Sequence, residues 1–305
     1  MNNINRVLIE KPNLPELTNT HTVVDLHFHS HHSDGSNSVR EIAKRAKQLG
    51  IGVAITDHNA IRGAVELSRI RGVLSIPGIE VTSREGAHVL IYFRTIKKLR
   101  QFYQKNVQPN MGSDVMSSIS LDMKEIIRSA KALDAMTIFP HPFGAAYTGV
   151  CNSNFSPEQQ QQLFNMIDGI EVFNASNLKK SNLRCTVLGF NLDKMIIGGS
   201  DGHTLRHMGK AVTYAECRKN RESFFKAIRT RQNKVIGKEI AMIRKVTSNG
   251  MKLKSNIKNY PDLIEKNIKY GYTVINAKSK HLRDNVKHNI NAKIRNGKHR
   301  GSLSG

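Results

Sequence analysis

Cysteine is scarce in this chain. The three residues, Cys151, Cys185 and Cys217, are odd in number and show no CxxC spacing. That argues against zinc-knuckle ligands and leads us to expect a reduced, cytoplasmic compartment. Long apolar runs are also missing. No stretch approaches the roughly 20 apolar residues of a membrane helix, so no membrane partner is expected. Residues 1–22 hold Pro12 and Pro15 and no apolar core, so no signal peptide is expected. There is no Gly-Lys-Ser/Thr phosphate loop and no Gly-x-Ser-x-Gly nucleophile turn, which sets aside P-loop and serine-hydrolase chemistry. We find no internal repeat. Acidic residues are few, 24 against 47 Lys and Arg, giving a net charge of +23.

That charge is uneven. From Arg218 to Gly305 there are 23 Lys and Arg against 5 Asp and Glu, whereas the preceding 217 residues hold 24 against 19. A near-neutral body therefore carries a basic end, suited to polyanion contact or to simple solvation. With 305 residues and 39% hydrophobic content, the body can bury a sizeable core.

The body alternates between strand-like and helix-like patterns. Val23 to Ser30 reads as a strand entering a His-rich turn. Ser38 to Leu49 reads as a helix, with Ser38 at the N-cap, Glu41 three residues on and Gly50 after its end. Further strands are expected at Gly52–Asp57, Leu74–Val81, His88–Phe93, Ala135–Phe139, Gly169–Phe173, Met195–Gly199 and Lys210–Tyr214. Helices are expected at Ile61–Ile70, Leu121–Leu133, from Ser156 to Met166, at Leu178–Leu188 and at Glu222–Thr230. Lys97–Ser120 is polar and reads as a loop or a short helix. Alternation of this kind implies parallel strands with helical crossovers, and about seven such strands fit a closed or nearly closed barrel; an open doubly wound sheet is the alternative. We expect an N-terminal lead over 1–22, the catalytic body over 23–237, and a basic, partly disordered extension over 238–305.

Ten of the thirteen histidines precede residue 210. His27 and His29 lie at i and i+2 on a strand and so share a face. Asp34 follows in the next turn. Asp57 and His58 close the second strand, and Glu80 lies in Ile79-Glu80-Val81. His88 opens the following strand, the one exception to ligands at strand ends. His141 stands in Pro140-His141-Pro142, and Asp201 and His203 in Ser200-Asp201-Gly202-His203. In a parallel barrel the strand C-termini converge on one face, where sites are built. Six His, two Asp and one Glu exceed the roughly four to six ligands of a single ion and suit Zn, Mn or Fe. Two or three ions sharing a carboxylate would use them all, and such clusters suit phosphate ester hydrolysis. We take Asp57, His58, Glu80 and Asp201 as the catalytic candidates. Asp57 either orients a ligand His or caps the following turn. His31, His32 and His207 are read as structural. Arg62, Arg84 and Arg206 lie near ligands in sequence and either hold substrate or are solvated surface.

In order, His27-Phe28-His29-Ser30, Thr56-Asp57-His58-Asn59, Pro140-His141-Pro142 and Ser200-Asp201-Gly202-His203 resemble the four motifs of the PHP (polymerase and histidinol phosphatase) family. The resemblance runs from about Val23 to Thr213. Gly169-Ile170-Glu171-Val172-Phe173-Asn174 is similar to a segment of the small stand-alone members. The resemblance implies a distorted seven-stranded (β/α) barrel with a trinuclear metal site. Carried over by motif, His27, His29, Glu80 and Asp201 would hold one ion. Asp34, His58 and His203 would hold a second, and Glu80, His88 and His141 a third, with Glu80 as the bridge. Every motif position is filled, which the resemblance reads as an active enzyme, and the polymerase branch is not expected, since these 305 residues hold no polymerase module. The short loops look more like the branch acting on nucleotides or short RNA than like histidinol phosphatase.

The expected function is hydrolysis of a phosphate monoester or terminal phosphodiester, a nucleotide or short oligonucleotide being favoured, by a metal-activated hydroxide. The expected cofactors are two or three divalent ions, Mn²⁺, Zn²⁺ or Fe²⁺. The alternatives are a nucleic-acid-binding protein with a structural metal site and a histidinol-phosphatase-like enzyme of small metabolites. An amidohydrolase-like enzyme is disfavoured by the Pro-His-Pro and Asp-Gly-His elements. The basic extension is a candidate nucleic-acid contact, because Tyr260, Tyr270 and Tyr272 lie among its lysines and could stack on bases.

Overall fold

The computed structural model describes residues 6–144, 148–152 and 155–240. The extension from residue 241, with its three tyrosines and the disorder expected at its end, lies outside the described residues.

In chain order the first elements are β1 (Val7–Leu8), α1 (Leu14–Thr20), β2 (Thr22–Phe28), α2 (Val39–Leu49), β3 (Gly52–Ile55), α3 (Arg62–Leu67), β4 (Gly78–Thr82) and β5 (His88–Tyr92). Then come α4 (Ile96–Phe102), α5 (Met123–Lys131), β6 (Met136–Phe139), α6 (Pro157–Met166), β7 (Gly169–Asn174), α7 (Lys179–Asn191), β8 (Met195–Gly199), β9 (Ala211–Ala215), α8 (Arg221–Arg229) and β10 (Lys234–Gly237).

Local chemistry accounts for the best-defined boundaries. The Ser38 hydroxyl accepts from the Glu41 amide and the Glu41 carboxylate accepts from the Ser38 amide, so α2 starts on two satisfied donors. It ends at Gly50, whose φ of 69° suits a residue without Cβ. Asp122 with Glu125, and Ser156 with Gln159, build the same reciprocal cap on α5 and α6. The polar stretch after Lys97 is more ordered than its composition suggests. Helix α4 continues into a π-helical turn, Tyr103–Val107, and a 3₁₀ turn, Gln108–Asn110, which bury Leu99, Phe102 and Val107.

The described strands form two five-stranded mixed sheets, in the orders β1-β10-β9-β2-β3 and β4-β5-β6-β7-β8. This corrects the expected parallel order, which does not hold throughout, and among the described residues no closed barrel is found. Pairing is parallel for β2 with β3 and for β6, β7 and β8. It is antiparallel for β4 with β5, β5 with β6, and β9 with both β2 and β10. Between β4 and β5 the chain is too short for a crossover helix, so a hairpin forms. The two sheets meet through isolated bridges, Val53 to Ser75 and His58 to Glu80 on one side, Phe28 to Gly202 on the other. Residues ahead of Val23 also contribute, since β1 pairs with β10.

The interior between the sheets is filled by Val24, Leu26, Leu90, Tyr92, Ile138 and Ile197 with Phe224 and Phe225 of α8. The Tyr92 hydroxyl crosses it to donate to the Leu26 carbonyl at 2.7 Å. A register shift between Asp25 and Phe28 then turns β2 over. Val24 and Leu26 face this interior, whereas Phe28 joins Val23 in the cluster under α2. Such a bulge re-aims side chains next to a site.

Gly199, the last residue of β8, lies directly against His27. A Cβ there would stand 2.4 Å from the His27 Cβ and 2.7 Å from its backbone nitrogen. Gly199→Ala should therefore cost about 1–3 kcal/mol by overpacking and lower Tm by roughly 2–4 °C per kcal/mol. Differential scanning fluorimetry checks this; an unchanged Tm would mean that β2 and β8 are not held at this distance.

Candidate metal centre

The two halves of the sequence deliver their candidate ligands to one end of the sheets. His27 lies near the end of β2 and His29 just after it, the turn that follows carries Asp34, and His58 follows β3. Glu80 lies in β4, and His141 follows β6; Asp201 and His203 follow β8. His88 opens its strand, yet it arrives at the same place. Because β5 runs antiparallel to β4, His88 pairs with Thr82 at the far end of β4.

The nine side chains form four overlapping groups in which ligand atoms lie within 4.8 Å of one another: His29, Asp34, His58 and His203; His27, His29 and Asp201; His27, Glu80 and His141; His58, Glu80 and His88. Glu80, almost fully buried, stands at the centre. Its Oε2 lies 3.2 Å from His27 Nε2, 3.4 Å from His29 Nε2 and 3.3 Å from His58 Nδ1. Its Oε1 lies 2.9 Å from His88 Nδ1 and 3.3 Å from His141 Nε2. Five imidazoles thus surround one carboxylate, three on one oxygen and two on the other. On the outer side Asp201 Oδ1 lies 3.3 Å from His29 Nε2, and Asp34 Oδ2 lies 2.9 Å from His203 Nε2.

These residues fit metal ions. Both ring nitrogens of His29 and Nδ1 of His58 are buried without a hydrogen bond, an arrangement that costs free energy unless something else satisfies them. Several separations, near 3.3 Å, exceed those of ordinary N–H···O bonds. They match the spacing of about 3.3–3.4 Å that two ligands on one tetrahedral ion with bonds of about 2.0–2.1 Å require.

Charge balance points the same way. Burial alone would lower the His27 pKa, but Glu171, Asp201 and Glu80 together hold it well above the usual imidazole value. Burial pushes His58 down to about 3 against the pull of Glu80 and Asp34, leaving a neutral ring with a lone pair to give. Glu80 and Asp201 resist the upward push of burial and stay well below ordinary carboxylates, because His88 and His27 respectively lead the histidines around them. Buried carboxylates need counter-charge, and divalent cations supply it where protons on histidine otherwise must.

Two candidate ligands carry strained backbone. His141 has φ 30° and Asp201 φ 49°, a region that non-glycine residues adopt at a cost of about 1–3 kcal/mol. Each is held in place. The His141 amide donates to Glu171 Oε2 at 2.9 Å, and Ser176 Oγ donates to the Asp201 carbonyl at 3.0 Å.

Asp57 stands in none of the four groups. Buried, with its pKa raised by desolvation, it accepts from the Ser30 amide at 2.6 Å, Ser30 Oγ at 2.7 Å and Ser33 Oγ at 3.0 Å. It fastens the turn that carries Asp34. Arg62 and Arg84 are exposed and pair with Glu66 and Asp122, and Arg206 is exposed. His32 pairs with Glu66, and His31 lies 3.3 Å from the Asn37 carbonyl.

Two buried carboxylates escaped the reading of the sequence. Glu171 Oε1 lies 3.0 Å from His27 Nδ1, and Asp25 accepts from the Ser200 and Gly209 amides. Burial raises the Asp25 pKa to about 6. A signal existed for both: Asp25 is two residues before His27, and Glu171 is the one charged residue of β7, a buried strand, where an unpaired charge is not tolerated.

The PHP domain model matches residues 25–273. An uncharacterized protein of Methanocaldococcus jannaschii, MJ1587, is 30% identical over 167 residues, covering 50% of this chain and 81% of its own length. Among solved structures, a two-domain protein containing a predicted PHP-like metal-dependent phosphoesterase from Bacteroides vulgatus superposes with a TM-score of 0.54 at 20% identity, over 75% of this chain and 68% of that one. The lesion-specific endonuclease PfuEndoQ of Pyrococcus furiosus gives 0.59 at 23% identity, over 70% of this chain and 57% of its own. With the family model spanning all four His and Asp motifs, the chain belongs to the PHP domain family.

Proposed function

We propose that the chain hydrolyses a phosphate monoester or a terminal phosphodiester of a nucleotide or short oligonucleotide, using two or three divalent ions, Mn²⁺, Zn²⁺ or Fe²⁺. The observation that carries this reading is the sharing of Glu80 between five histidines, with three on one oxygen and two on the other. A carboxylate so placed bridges, and adjacent cations suit phosphoryl transfer. Bound there, divalent ions would supply a nucleophile from water at neutral pH and neutralise the charge building on the phosphoryl oxygens. His27, His29, His58, His88, His141, His203, Asp34 and Asp201 would hold the ions. Asp57 acts through the turn it fastens. The three free cysteines fit a cytoplasmic protein, and none of the described helices is long and apolar enough to cross a membrane.

The preference for a nucleic-acid end rests on the position of Ile240, the last described residue, and on the charge that follows it in sequence. The Ile240 amide donates to the Ala175 carbonyl at 2.8 Å, one residue past β7. Its neighbour there, Asn174, reaches Asp201 at 3.3 Å. Ile240 is thus tied next to a residue that contacts Asp201, and residues 241–305 carry 15 Lys and Arg against 3 Asp and Glu. The fold also serves nucleic acid elsewhere: endonuclease Q has been seen with a 27-mer duplex bearing an abasic lesion at its active site, with a TM-score of 0.57 to this chain.

Truncation after Ile240 tests this. Cleavage of a small chromogenic ester should be spared, while KM for an oligonucleotide rises. Counterion release makes the full chain's oligonucleotide affinity fall steeply with salt, by about 10³–10⁵ between about 50 and 200 mM for roughly six to ten phosphate contacts. The truncated chain should show a much flatter dependence. If both chains handle both substrates alike across the salt series, the nucleic-acid reading fails.

A further inference from the structure

We infer that Glu171 is a positioning residue of the metal centre, one that fixes the tautomer of His27 and the backbone of His141 so that both rings present Nε2 to Glu80. The inference rests on the metal-centre reading above. Glu171 lies on β7, fully buried, behind the ligands and away from Glu80. Its Oε1 is 3.0 Å from His27 Nδ1. Its Oε2 accepts from the His141 amide at 2.9 Å and from Asn174 Nδ2 at 2.9 Å. The two histidines it touches are both members of the group completed by Glu80.

A carboxylate can only accept, so the proton of His27 sits on Nδ1. Without a cation the surrounding carboxylates keep His27 charged; a cation taking Nε2, which faces Glu80 Oε2 at 3.2 Å and Asp201 Oδ1 at 3.6 Å, would leave the remaining proton on Nδ1. The amide of His141 belongs to a residue with φ 30°, so the Oε2 contact also offsets the cost of the conformation that turns His141 Nε2 toward Glu80 Oε1, 3.3 Å away. A carboxylate behind a ligand histidine is a general means of fixing its orientation and raising its basicity.

The predicted consequence of Glu171→Gln follows from donors and acceptors. The oxygen of the new amide must stay with the two donors, His141 N–H and Asn174 Nδ2. Its NH₂ group then faces His27 Nδ1 and requires a lone pair there. The His27 proton is driven to Nε2, the atom needed for metal.

Two measurements on the full chain test this. In the Zn²⁺-loaded wild type, ¹⁵N-resolved NMR of the histidine rings, with His27 assigned by loss of its signals in a His27→Gln variant, should show His27 protonated at Nδ1 and not at Nε2. Zn²⁺ titration by calorimetry should show one binding step of Glu171→Gln weakened by about 10–100-fold, with the remaining binding retained. A proton on His27 Nε2, or a folded Glu171→Gln with unchanged Zn²⁺ affinity, overturns the inference, even if the variant's metal-free Tm has fallen. If Glu171→Gln does not fold, the wild-type tautomer decides. A wild type that binds no Zn²⁺ sinks the metal-centre reading itself, and is told apart by that.

Discussion

Glu80→Gln should reduce turnover to background while leaving the fold intact. The substitution removes a charge that five histidines share and replaces one accepting oxygen by a donor. Either orientation of the new amide turns its NH₂ toward rings now held by an oxygen: His27, His29 and His58 on one side, or His88 and His141 on the other. No rotation repairs both sides at once. Asp57→Asn should be milder, a loss of about 10–100-fold. The amide oxygen can keep the Ser30 amide and the Ser33 hydroxyl, and the NH₂ meets Ser30 Oγ, which can accept. The comparison is made with a chromogenic phosphate ester and added Mn²⁺, with circular dichroism to verify folding. Small and equal losses in the two variants would refute the assignment of Glu80 as the bridge.

Stripping the metal should also lower thermal stability, beyond abolishing turnover. Ions bind the assembled ligands and not the unfolded chain, so each ion at about 100 times its Kd adds about 2.7 kcal/mol. For a body of this size that corresponds to roughly 5–10 °C in Tm per ion. The direction follows from the site: Glu80 and Asp201 are held well below ordinary carboxylate values by histidine charge, and cations provide the same compensation without requiring buried protonated rings. Melting of chelator-treated protein, then of the same sample with Mn²⁺ or Zn²⁺ restored, gives the readout. Coincident melting curves with and without ions would contradict a centre built from buried ligands.

The candidate residues that the structure brings together were more legible than the sheets that carry them. Ligands at strand ends are a local property: His-x-His, the Asp-His after β3, Pro-His-Pro and Asp-Gly-His can each be read within a few residues. Helix boundaries fixed by side chains were legible for the same reason, as at Ser38, Gly50 and Ser156. Strand pairing is non-local. Alternating strands and helices suggested parallel order throughout, but the short link from β4 to β5 forces a hairpin, and α4, its π-helical turn and α5 lead into an antiparallel β6. That hairpin also explains why His88 looked like an exception. β1 and β10, two and four residues long, are too short to leave a periodic signal. Glu171 was hidden because its role is set by residues 144 positions and 30 positions away; only its being the one charged residue of β7 hinted at a partner.

The most direct test of the account is the metal content of the full chain purified without chelator. Elemental analysis should find more than one equivalent of divalent transition metal per chain, since nine ligands in four overlapping groups exceed what one ion can take. Turnover of a phosphate ester should track that content as ions are removed and restored. A consistent value near zero, with no activity recovered on adding Mn²⁺ or Zn²⁺, would contradict it.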